Sequence, residues 1–174
     1  MEDLKSAVDV IERELIRGRA RWVADLTEFF RDYRVMDATF SLYARGKTRN
    51  RGLFLSRFFA STVLPNYAVS LLCADESGKG ALTTEKIRQR ADLVFRIISA
   101  GNLRWAWLII LTNSRLTPTV VSFIERYDRR ELGIGIADVS SKQAVFSNNQ
   151  VGRSIRSRLG LEKLLGGLTN GEAN

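Results

Sequence analysis

The sequence predicts an α/β (α+β) fold: a single domain on a central mixed β-sheet flanked by helices, with a long N-terminal helix. Three observations predict it. Leu4, Val8, Ile11 and Leu15, followed by Trp22, Leu26 and Phe29, recur every three or four residues, the period of a helix face. Two short apolar runs, Tyr67 to Ala74 and Trp105 to Thr112, alternate too poorly to be half-buried and read as strands covered on both faces. The stretches that follow them return to helical spacing, so strands and helices take turns along the chain. The element order is then α-β-β-β-α-β-α-β-β-α, with residues 1–165 forming one domain and 166–174 a disordered tail.

Each element has its own warrant. The first helix is expected to run on to Phe29 with a bend at Gly18. From Val35 to Arg45, Met36, Ala38, Phe40, Leu42 and Ala44 alternate with more polar residues, the pattern of a strand with one buried face. Gly46, Asn50 and Gly52 mark a turn after it, and Leu53 to Phe59 fits either a strand or a helix. Pro65 and Asn66 break the chain before the first buried strand. Thr83 or Thr84 can cap a helix carrying Ile87, Ala91, Val94, Phe95 and Ile98, which stops at Gly101. After the second buried strand, Thr117 and Pro118 open a helix with Val121, Ile124 and Tyr127 inward. Leu132 to Val139 and Gln143 to Ser147 are strands joined by a Ser-Ser-Lys turn, and a final helix from Val151 to about Leu165 turns Val151, Ile155 and Leu159 inward.

Composition narrows the chemistry. A chain of 174 residues at 45% hydrophobic fills one sizeable core. Its longest strongly apolar run, around Trp105 to Leu111, is far below the roughly 20 residues a bilayer requires. The amino terminus is acidic where a secretion signal is basic, so a cytoplasmic protein without membrane contact is expected. Histidine is absent and Cys73 is the single cysteine, which removes Ser/His/Asp and Cys/His nucleophilic sites, the usual structural zinc sites and any internal disulfide. Carboxylate oxygen remains for metal binding, the natural ligand set of magnesium and manganese. Cys73, within an apolar stretch, reads as a buried, inert thiol.

The net charge is +8, and 21 of the 27 cations are arginine, whose planar fork suits phosphate. The excess is local: residues 35–58 carry +4 and 141–174 carry +3. Arg45, Lys47, Arg49, Arg51 and Arg57, in and near a connection between strands, can follow a phosphate backbone without reading base identity. Arg153, Arg156, Arg158 and Lys163 form a second group on the last helix; facing the same way, the two groups would grip both sides of a backbone. Tyr43 and Tyr67 could add base stacking or pack against the sheet, and Trp22, Trp105 and Trp107 belong to the core or a helix interface.

The order of these elements resembles the restriction-endonuclease-like, or PD-(D/E)XK, superfamily, with the archaeal Holliday junction resolvases as similar small members. In that family a helix often holding an acid precedes a strand carrying Asp and a strand carrying Glu-x-Lys; the carboxylates hold magnesium and the lysine assists the attacking water. The resemblance implies that Glu14 matches the helix acid and Asp37 the strand Asp. The third element departs from the pattern, because Tyr67 to Ala74 contains neither acid nor lysine. Asp75, Glu76 and Lys79 follow at its end with different spacing. Glu76-Ser-Gly-Lys-Gly80 is also unlike a P-loop, having Cys73 where the first glycine belongs and Gly80 where Ser or Thr belongs.

The expected function is therefore nucleic-acid binding by a degenerate, non-catalytic member of this fold, without a cofactor. Two alternatives stay open. A protein-interaction or assembly subunit, homo-oligomeric or with a partner protein, would use the Leu4, Val8, Ile11, Leu15 and Trp22 face of the first helix. A magnesium-dependent nuclease would draw its site from Asp37, Asp75, Glu76, Glu14 and Lys79, with the metal on Asp37, Asp75 and Glu76.

Overall fold

The fold, a computed structural model, describes residues 2–21, 23–48, 67–76 and 80–167. In chain order the elements are α1 (Glu2–Ile16), β1 (Ala24–Val35), β2 (Ala38–Thr48), β3 (Ala68–Glu76), α2 (Thr84–Ala100), β4 (Trp105–Thr112), α3 (Pro118–Glu125), β5 (Leu132–Asp138) and β6 (Gln143–Phe146). The last region is α4 (Gln150–Ser154), a π-helical turn (Ile155–Leu159) and α5 (Leu161–Gly167). Thr83 and Thr117 cap α2 and α3 as their positions predict, each hydroxyl accepting a backbone N–H at 3.3 Å.

One mixed sheet of six strands follows chain order, β1-β2-β3-β4-β5-β6. β1, β2 and β3 form an antiparallel meander; β3, β4 and β5 are parallel; β6 returns antiparallel. Parallel neighbours need crossovers, and α2 and α3 supply them. They pack over one face, where Leu72, Leu108, Ile110, Ile134 and Ile136 meet Ile87, Val94, Ile98, Val120 and Ile124. On the other face Leu42, Leu71, Cys73, Trp107 and Ile109 meet α1, the π-helical turn and α5. The fold class and element order are those read from the sequence. No helix among the described residues is long and apolar enough to cross a membrane.

The amino-terminal region departs from the expected helix. α1 ends at Ile16, Gly18 adopts a left-handed φ of 88°, and Leu26 and Phe29 lie on β1. The physical reason is a bulge. The β1–β2 register shifts between Leu26 and Glu28, so Leu26 and Phe29, three apart, both face the α1 side of the sheet and mimic a helical repeat. β1 thus supplies the third strand before α2, while Leu53 to Phe59 lies outside the described residues.

The apolar stripe of α1 is used within the chain. Leu4, Val8, Ile11 and Leu15 are at most 4% exposed and pack against the sheet and α5, so this face is buried within the chain; Trp22 lies outside the described residues. The polar side of α1 fastens the edge strand: Arg31 on β1 donates to Glu12 at 2.9 Å and to Asp9 at 2.6 Å. These carboxylates favour the charged guanidinium. At the other end, the expected single helix is broken by Gly160 at φ 63°, and α5 extends through Gly167 into the expected tail.

Candidate nucleic-acid interface

Between the β1–β2 turn, the end of β3 and one side of α2 lies an open cleft of about 770 Å³. The turn is made by Met36, in the left-handed region at φ 52°, and Asp37. Since β3 runs on to Glu76, Asp75 and Glu76 sit on the strand's last two positions and line the same cleft as Asp37. α2 contributes Lys86, Arg90 and Arg96. Arg90 donates through Nε to Glu76 at 2.9 Å and through Nη1 to the Thr39 carbonyl at 3.4 Å. Its guanidinium also lies 5.6 Å from the Phe40 ring centroid.

Three of the carboxylates named from the sequence thus share one cavity, but no three acids among the described residues are grouped closely enough to hold a metal ion. Glu76 is engaged by Arg90, so the cleft in this conformation does not fit a divalent cation. Glu14 does not join them, because it is on α1, across the sheet. It pairs with Arg19 at 2.8 Å and Arg17 at 3.0 Å, and these hydrogen bonds, Arg19 first, hold its carboxyl below the ordinary value despite partial burial. Lys79 lies outside the described residues.

The basic residues divide by face. On β2, Ala44 is buried on the α1 side, so strand alternation turns Arg45 and Lys47 to the side of Tyr43, where both are exposed. Glu28 and Asp25 stand opposite them in the β1 register, yet neither cation makes a salt bridge among the described residues. Arg49, Arg51 and Arg57 lie outside the described residues. Arg153, Arg156, Arg158 and Lys163 are all exposed, on helices whose buried Ile155, Leu159 and Leu164 pack against the α1 side. Arg45 and Lys47 therefore belong to the opposite face of the sheet from Arg153, Arg156, Arg158 and Lys163.

Beside Arg45, Tyr43 is joined by two rings, Phe30 and Tyr33, that the sequence reading did not single out. Asp32, at φ 48°, interrupts the alternation of β1 a second time, so that Phe30 and Tyr33 come together. Tyr33 stacks on Tyr43 with centroids 4.4 Å apart, and Phe30 stacks on Tyr43 at 5.9 Å. Phe30 and Tyr33 are 43% and 36% exposed, while Tyr43 is buried beneath them, which pushes its hydroxyl pKa above the ordinary value. The signal was present as Phe29-Phe30 and Tyr33 next to a strand, but a helix assigned up to Phe29 conceals it. The chain matches no family model, no curated protein and no solved structure.

Tyr67, half-exposed ahead of β3, lies under the Arg104 guanidinium at 5.2 Å. Trp107 is buried as its pattern predicts, and its indole donates to the Ser154 hydroxyl at 2.9 Å, tying β4 to α4. Cys73 is fully buried, which pushes its thiol pKa far up, and Asp75 adds to the effect.

Proposed function

We propose that the chain binds nucleic acid through the phosphate backbone and does not cleave it, as a degenerate relative of the restriction-endonuclease-like nucleases. The observation that carries this reading is the placing of Arg45 and Lys47. They are neighbours on one exposed strand face, make no salt bridge among the described residues, and are followed directly in sequence by Arg49, Arg51 and Arg57. Cations so placed attract phosphate regardless of base sequence. The non-catalytic part of the reading is supported by β3, whose buried positions Val69 to Ala74 bear no acid and no lysine. It is also supported by the engagement of Glu76 with Arg90. Kinship with the nuclease superfamily is supported by the element order and the meander leading into a parallel crossover.

One specific observation favours a second reading, a metal-dependent nuclease: Asp37, Asp75 and Glu76 line the same cleft. For that activity Arg90 has to release Glu76 and the acids have to draw together. A single experiment tests both readings: binding of labelled oligonucleotides across a salt series with magnesium present. Affinity should fall steeply with salt, by about 0.9 log units per log unit of salt for each phosphate neutralised on duplex. Arg45→Ala with Lys47→Ala should lower that slope by about 1 to 2 on the same scale, and an unchanged slope overturns the site. The substrate should remain intact; cleavage that Asp37→Asn abolishes would establish the nuclease reading instead.

A further inference from the structure

α2 stands over β4 and β5 and reaches β2 at Thr39 and Phe40, so among the described residues the same sheet face is left open over β1 and over β2 from Tyr43 onward. On that open strip a protein would ordinarily place polar side chains, as the solvated side of a sheet does. Here it places Phe30 and Tyr33, both outward, on a base formed by Tyr43. Arg45 follows Tyr43 on the same side of β2, and Lys47 follows Arg45. Tyr43, Arg45 and Lys47 therefore lie in line along β2, with about 3.4 Å of rise per residue, and Phe30 and Tyr33 sit beside Tyr43 on the neighbouring strand β1.

The rings do not fill a core, since both are substantially exposed, and no element among the described residues covers them. Neighbouring acids limit the purely electrostatic attraction of this strip: Glu28 opposes Arg45 and Asp25 opposes Lys47 across the register. A polyanion with nothing but charge to offer gains little there. A polyanion that also presents flat aromatic faces gains from both parts of the strip. In a duplex the bases are stacked on one another and their faces are closed to a protein ring; in a single strand they are open.

We propose that the open β1–β2 face binds single-stranded nucleic acid, with unpaired bases stacking on Phe30 and Tyr33 and the adjoining phosphates held by Arg45 and Lys47. This rests on the nucleic-acid-binding reading above and assigns its strandedness. No base preference follows from stacking, because every base has a π-face.

The test compares an oligothymidylate, a duplex of equal length and an abasic single strand of that length, by fluorescence anisotropy at one fixed salt concentration. The oligothymidylate should bind about tenfold or more tighter than either of the others, as expected when stacking contributes to each base held. Phe30→Leu with Tyr33→Leu should weaken the oligothymidylate by roughly ten- to a hundredfold and leave the duplex and the abasic strand unchanged. Equal binding of all three ligands by the native chain overturns the stacking proposal and leaves phosphate binding standing. Should none of them bind even at low salt, both readings fall and the rings are left to a protein partner. The abasic comparison uses the unaltered chain, so it decides the matter even where the double variant fails to fold.

Discussion

At the scale of single residues, the exposed hairpin depends on Gly46. A Cβ built there would stand 1.9 Å from the Asp25 carbonyl oxygen and 2.7 Å from the Leu26 Cα, backbone atoms that cannot swing aside. The glycine pairs with Leu26 beside the β1 bulge, between the two cations Arg45 and Lys47. Gly46→Ala should therefore destabilise the fold by about 1–3 kcal/mol, the usual cost of overpacking, seen as a lower denaturant midpoint. A midpoint equal to that of the native chain would mean that β1 can shift freely at the bulge. Single residues also mark how far the sequence spoke about the site. Asp37, Asp75 and Glu76 were grouped by the family resemblance alone, because their sharing a cleft depends on a turn and a strand end, which no local pattern encodes. That Glu14 pairs with Arg17 and Arg19 is a local, three- to five-residue matter, and spacing alone could have suggested it.

At the scale of elements, periodicity was reliable wherever an element was regular. The strands β4 and β5, the helix α2 and both threonine caps stand where apolar spacing places them. β1 misled because its two irregularities convert a period of two into intervals of three, Leu26 to Phe29 on one face and Phe30 to Tyr33 on the other. A strand read through a bulge carries the signature of a helix, and the aromatic face was lost along with the strand. At the carboxyl end the decisive element feature is a cap. Asn149 accepts from the Gly152 N–H at 2.7 Å, and its amide donates to the carbonyls of Arg129 at 2.9 Å and Leu132 at 2.8 Å. One side chain thereby starts α4 and fastens it to the entry of β5. Asn149→Ala should cost about 1–3 kcal/mol, combining a lost cap with two carbonyls deprived of a donor. Asn149→Asp, which keeps the acceptor alone, should lose less in the same unfolding measurement; equal losses would show that the cap contributes nothing separately.

At the scale of the whole molecule, the sheet is deeply covered at its centre and bare at one side. β4 is paired on both edges and packed on both faces, whereas among the described residues β1 pairs only with β2 and exposes most of its side chains. Native-state hydrogen exchange should follow this gradient, with β4 amides slowest and the outward-pointing amides of β1 fastest among the strand amides. Uniform protection across all six strands would contradict it. The buried centre was legible in the continuous apolar runs of β3 and β4, but the bare side was not, because the residues of β1 up to Phe29 carried the spacing of a helix. Which face stays open, and that Arg45 and Lys47 fall on the opposite face from Arg153, Arg156, Arg158 and Lys163, follows only from the tertiary path of the chain.

The Arg31 link to Asp9 and Glu12 has a consequence for any titration with salt. It fastens the ring-bearing strand to α1 through an exposed ion pair, and exposed ion pairs weaken as the Debye length shortens. Ionic strength then acts on the open face in two ways, by competing for phosphates and by loosening the strand that carries the rings. A chain altered only at Arg45 and Lys47 keeps this fastening intact, so the difference between its salt dependence and that of the native chain isolates the phosphate contacts from the mechanical slackening of the surface that makes them.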